Sequence, residues 1–64
     1  MNDMTRGHSE GLVRCQEHLA RTLASRMGAG SSAAMALREL DRRRSQGEAV
    51  MIFPLRGKWL VGRL

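Results

Sequence analysis

The 64-residue chain contains one cysteine, one proline, one phenylalanine, one tryptophan and no tyrosine. With Cys15 alone, no intrachain disulfide can staple the fold. Cys15, His8 and His18 are the only Cys and His side chains, and no CxxC or HxxxH pair accompanies them; neither a metal nor any other cofactor is expected. Cys15 with His18 is also the only local pair that could suggest nucleophilic catalysis, which needs a base and a third orienting group. Cys15 falls on an apolar stripe, so it reads as a small buried hydrophobe, and no active site is expected. Phe53 and Trp59 are too few to build a base-stacking platform. No apolar run approaches the roughly 20 residues needed to cross a bilayer, and no signal-peptide core follows the N-terminus. A cytoplasmic protein is expected.

Eleven basic residues stand against six acidic ones, for a formal charge of +5, and Lys58 is the only lysine among the eleven. The planar guanidinium fork suits phosphate and carboxylate, so the balance points to nucleic acid or an acidic protein surface. A GC-rich genome also inflates Arg, Ala and Gly, and composition does not separate these readings. At this length a domain buries only about 60% of the surface its unfolded chain exposes. With no disulfide or metal, a second copy or another partner is the natural stabiliser.

Residues 1–7 are polar and expected to fray, with a helix starting at a Ser9 cap. Leu12, Cys15, Leu19, Leu23 and Met27 recur at three- and four-residue steps, which predicts one buried stripe on a helix ending near Met27. Glu10 with Arg14 and Glu17 with Arg21 place acid four residues before base, the favourable order. The glycines of "GAG" at 28–30 close that helix, and Ser31 or Ser32 caps the next. Ala33, Ala36, Leu37 and Leu40 form its buried stripe, Glu39 is spaced to pair with Arg43, and Gly47 stops it after about Ser45.

The rest, "AVMIFPLRGKWLVGRL", reads as two strands joined by a tight turn at "RGK". Pro54 cannot donate to the ladder and belongs at an edge or next to the turn. Val50 and Ile52 point one way and Met51, Phe53 and Leu55 the other, while Trp59 and Val61 oppose Leu60 and Leu64. Both faces are apolar, and one helical layer covers only one of them. A homodimer, or docking on another protein, would cover the second. The expected fold is α+β, one domain over 1–64: a two-helix hairpin followed by a C-terminal β-hairpin.

The stretch "LASRMGAGSSAAMALREL" (23–40) followed by that hairpin resembles a minimal winged helix-turn-helix, as in small bacterial regulators and phage excisionases. Counting the twenty-residue motif from Ala20, Ala24 takes the small crossing slot and Gly28 the turn slot. Leu23, Met27, Ala29 and Leu37 take apolar slots, and Ala34 stands where a larger aliphatic is usual. The resemblance implies that the helix from Ser31 enters the major groove of double-stranded DNA. Ser31, Ser32 and Met35 would lie nearest the bases, with Arg38, Arg42, Arg56 and Lys58 on phosphates. The base-facing slots hold no Asn, Gln or Arg, Glu39 is placed where it can repel phosphate unless it accepts from a cytosine or pairs with Arg43, and the family's separate first helix is fused or missing.

The alternative architecture is a plain ααββ domain. The alternative function is a small phage-type inhibitor or adaptor that grips a host polymerase or defence nuclease. In that reading Phe53, Trp59 and Leu60 are the interface anchors, since buried aromatics dominate interface energy.

Overall fold

The computed structural model describes the backbone from residue 2 to residue 64 and the side chains from residue 10 onward. The order is α1 (Asn2–Met27), α2 (Ser32–Ser45), β1 (Val50–Leu55) and β2 (Lys58–Arg63), two helices followed by an antiparallel two-stranded sheet. This is the expected α+β arrangement. The helix begins well before Ser9, because Gly7 and Gly11 each weaken a helix by only about 1 kcal/mol relative to alanine and no proline interrupts the run. The expected frayed end and Ser9 cap therefore give way to helix from Asn2 onward, and the His8 side chain lies outside the described side chains.

The face of α1 that packs is not the one its large residues mark. Ala20 is completely buried, and Val13, Gln16, Glu17, Leu23 and Ala24 are half-buried. Leu12 is 58% exposed, Leu19 is 49% exposed, and Cys15 and Met27 are exposed too. The expected stripe therefore lies on the helix flank, except for Leu23, which is partly covered. One residue of offset turns a helical face by about 100°. The physical reason is the close approach of three elements: α1 packs on both α2 and β1, and alanines at 20 and 24 permit a separation that leucines would not.

Ser31 caps α2 with extended backbone, and its Oγ accepts from the Ala34 N–H at 3.1 Å. Gly28 at φ 90° closes α1, and its N–H returns to the Ala24 carbonyl. Ala33, Ala36, Leu37 and Leu40 form the buried face of α2, as its spacing predicts. The helix ends where Gly47 turns left-handed at φ 88° and the Glu48 N–H returns to the Arg43 carbonyl.

The hairpin turn has two residues, Arg56 at φ 52° and Gly57 at φ 77°. Two successive positive φ values mark a type I′ turn, whose twist matches that of the flanking strands. The register pairs Val50 with Arg63, Ile52 with Val61, Phe53 with Leu60 and Pro54 with Trp59. Antiparallel pairs alternate between hydrogen-bonded and non-bonded. The Leu64 N–H bonds the Ala49 carbonyl, so counting along the ladder makes Pro54–Trp59 a non-bonded pair. Proline sits where no ladder donor is needed.

Val50 and Ile52 point inward and join Ala20, Ala36, Leu37 and Leu40 in the core, with Ala24, Trp59 and Val61 packed against it. Met51, Phe53, Leu55 and Leu60 form the outer face. Leu55 and Leu60 are exposed, and Met51 and Phe53 are half-buried.

Candidate nucleic-acid interface

The N-terminal half of α2 lies beside β2, and an open groove of about 550 Å³ runs between them. Ser32, Met35 and Glu39 line it from the helix, and Lys58, Trp59 and Leu60 from the strand. Positions 32, 35 and 39 fall within one helical face by the three- and four-residue rule. Besides the packing of Trp59 and Val61 on the core, a hydrogen bond ties the strand to the helix: the Trp59 N–H, turned away from Pro54, donates to Ser32 Oγ at 2.9 Å. That bond places Lys58, the next residue along, against the start of α2.

The expected DNA-contacting residues are thus brought together only in part. Ser32, Met35 and Lys58 share the groove, and Met35 is 61% exposed. Ser31 is half-buried, and its hydroxyl is committed to the cap. Arg38 donates to the Ala29 carbonyl at 3.1 Å, so it satisfies the loop after α1. Arg42 holds Glu39 through two parallel bonds, Nε to Oε1 at 2.8 Å and Nη2 to Oε2 at 2.7 Å. Arg56 stands exposed at the hairpin tip. Among the expected protein anchors, Leu60 is exposed on the groove rim. Phe53 lies half-buried on the outer face, with its ring 3.0 Å from where a Cβ on Gly62 would be. Trp59 is half-buried against the core while also lining the groove.

The Glu39–Arg43 pair expected from spacing does not form. Arg43 instead bonds Glu48 at 2.8 Å, because the turn at Gly47 carries Glu48 back beside the helix end. Glu39 is left to Arg42. Glu17 bonds Arg21, as expected, at 3.2 Å, and also Arg44 at 2.9 Å, joining α1 to the end of α2; Arg21 lies 3.7 Å from Asp41. Among the described residues Glu10 forms no ion pair with Arg14, and neither do Arg26, Arg38, Arg56, Lys58 and Arg63 with any acid.

These pairs set the acids' ionisation. Partial burial pushes the Glu17 carboxyl up, but hydrogen bonds from Arg44 and Arg21 outweigh it and hold the group below its usual value. Hydrogen bonds from Arg42 and Arg43 lower Glu39 and Glu48 respectively. Glu39 therefore stays charged yet neutralised by its partner, which removes much of the repulsion expected between it and phosphate.

Glu39, read from sequence as lying close to phosphate, does line the groove, but with Arg42 rather than Arg43 as its partner. The signal for that placement was present in the spacing of 32, 35, 39 and 42 along one face of α2. The Ser32–Trp59 bond had no local signal, since the residues stand 27 apart in sequence.

Among the described residues no helix is long and apolar enough to cross a membrane, and no group of three Cys, His, Asp or Glu side chains is arranged to hold a metal. Comparison with family models, with curated proteins and with solved structures finds no match.

Proposed function

We propose that the chain is a small DNA-binding protein of the winged helix-turn-helix type, in which α2 enters the major groove and the tip of the β-hairpin rests on the phosphate backbone. The observation that carries this reading is the shared groove: Ser32 and Met35 on the solvent face of α2, with Lys58 held beside them by the Ser32–Trp59 bond. Phosphate contacts position a domain and base-edge contacts specify sequence; the groove supplies groups for both.

Two further features support it. Arg42 is engaged by Glu39 through two of its five N–H donors, so its remaining N–H groups are open to DNA without breaking the pair. Arg56 occupies a left-handed position that disfavours side chains by about 1–2 kcal/mol. Glycine or asparagine fits that position better, so an arginine at the tip is consistent with selection for charge rather than for the turn. The test is binding selection from a random duplex pool at near-physiological salt with non-specific competitor. Enrichment of a short site supports the reading; retention that salt erases at every sequence rejects sequence-specific binding.

The apolar outer face of the hairpin favours a second reading: a protein-binding adaptor or inhibitor of a host enzyme. Phe53, Leu55 and Leu60 would be its anchors, with Trp59 drawn to the core instead. A second copy on the same face would make the DNA-binding form a homodimer, which sedimentation of the wild type and of Leu60→Asp distinguishes from a monomer.

A further inference from the structure

We infer that Glu39 and Arg42 form one unit that reads a C·G base pair, with Glu39 accepting from the cytosine amino group and Arg42 donating to the paired guanine. This rests on the DNA-binding reading and adds the chemistry of the sequence it would select.

The base-facing slots of α2 hold no Asn, Gln or Arg in the positions usually associated with bidentate base contacts. Glu39 is the groove's carboxylate, an acceptor with sites to spare, beside the hydroxyl of Ser32 and the ammonium of Lys58, which have donors left to offer. Ser32 Oγ accepts from Trp59 and keeps only its short hydroxyl donor, and Met35 offers an apolar contact, suited to a thymine methyl. The two bonds from Arg42 fix the plane of the Glu39 carboxylate. An ionised carboxylate has about four lone-pair sites, so each oxygen can accept again.

The major-groove edges decide which base can use those sites. Guanine presents two acceptors, and thymine an acceptor and a methyl; both repel a carboxylate. Adenine presents its amino donor beside the N7 acceptor, a mixed edge. Cytosine presents the amino donor with no acceptor of its own beside it. Cytosine is therefore the base the carboxylate accepts best. Its partner guanine displays O6 and N7 acceptors on the same edge, and a guanidinium has five N–H donors, only two of which Arg42 spends on Glu39. An isolated glutamate this close to DNA would be repelled by phosphate. Paired with Arg42 and flanked by Lys58, it brings no net negative charge to the groove.

The test is duplex-pool selection with the full chain, its Glu39→Gln variant and its Glu39→Ala variant, each checked for helical content first. The wild type should enrich a site with C·G at one fixed position. Glu39→Gln, which can donate and accept, should shift that position toward A·T, leave the rest of the site unchanged, and bind the wild-type site roughly tenfold more weakly. Glu39→Ala should lose the preference at that position alone. If both variants select the wild-type site unchanged, or both simply bind every sequence more tightly, Glu39 does not read a base. If the wild type enriches no site over competitor, it is the DNA-binding reading that fails.

Discussion

The backbone N–H of Trp59 donates to the side chain of Ser32 at 2.9 Å, a hydrogen bond that ties the hairpin to the start of α2 beside the core packing between them. Ser32→Ala removes the acceptor and leaves the N–H to water at a partly exposed edge. The expected loss is about 1 kcal/mol, read by urea unfolding, together with faster hydrogen exchange at the Trp59 amide. Unchanged exchange would mean that the hairpin is held by core packing alone.

Arg56 separates stability from binding. In its left-handed position, Arg56→Gly should stabilise the fold by up to about 1 kcal/mol while weakening DNA binding. A variant that gains stability and keeps full affinity would show that the tip touches nothing.

The packing of α1 is tested by neighbouring residues that should respond in opposite ways. Ala20 is fully buried between α2 and β1, so Ala20→Leu overpacks the contact and should cost about 1–3 kcal/mol. Leu19, one position away and half-exposed, should tolerate Leu19→Ala with well under 1 kcal/mol lost, within the usual range for surface substitutions. Thermal unfolding of the two variants measures both. The reverse ranking would restore the leucine face as the packed one.

That pair also marks where sequence legibility stops. On α2 the buried stripe, a cap at Ser31 or Ser32 and the Gly47 stop were readable, because each depends on residues within one or two turns; the structure places the cap at Ser31. The hairpin was readable from its alternation and from "RGK", and Pro54 found the non-bonded position that its missing donor demands. On α1 the periodic large residues pointed to the wrong face. Its orientation depends on how closely it approaches two other elements, and side-chain size then outranks hydrophobicity. The candidate site shows the same limit. Ser32, Met35 and Lys58 were legible as exposed residues of helix and tip, but the bond that brings them together spans two distant elements. Glu39 changed partner from Arg43 to Arg42 because the turn after α2 offers Arg43 a better acid in Glu48.

Salt dependence provides a measurement on the cations. If Arg42 and Lys58 contact phosphate, Arg42→Ala and Lys58→Ala should each weaken binding at all sequences and reduce the slope of log affinity against log salt by about one. A loss confined to the selected site would assign Arg42 to the base pair instead, whereas Lys58→Ala should remain indifferent to sequence. No change in slope for either variant would reject docking through the groove and tip.

The Glu17 hub makes acid stability a structural readout. Burial raises its pKa, but the hydrogen bonds from Arg44 and Arg21 dominate, so the folded value lies below the unfolded one. A depressed carboxyl contributes its stability above the unfolded pKa and loses it as pH falls through the folded pKa. Glu39 and Glu48 are depressed in the same direction by Arg42 and Arg43. The protein should therefore lose stability progressively on acidification below the ordinary glutamate range, with little change near neutrality. Glu17→Gln should lower the midpoint of thermal unfolding at pH 7 and flatten its fall in acid, since the substituted side chain no longer titrates. Because Glu17 joins α1 to the end of α2, its effect should exceed that of Glu39→Gln, whose pair lies within a single helix. Equal effects would mean that the bridge between the helices adds nothing beyond local charge pairing.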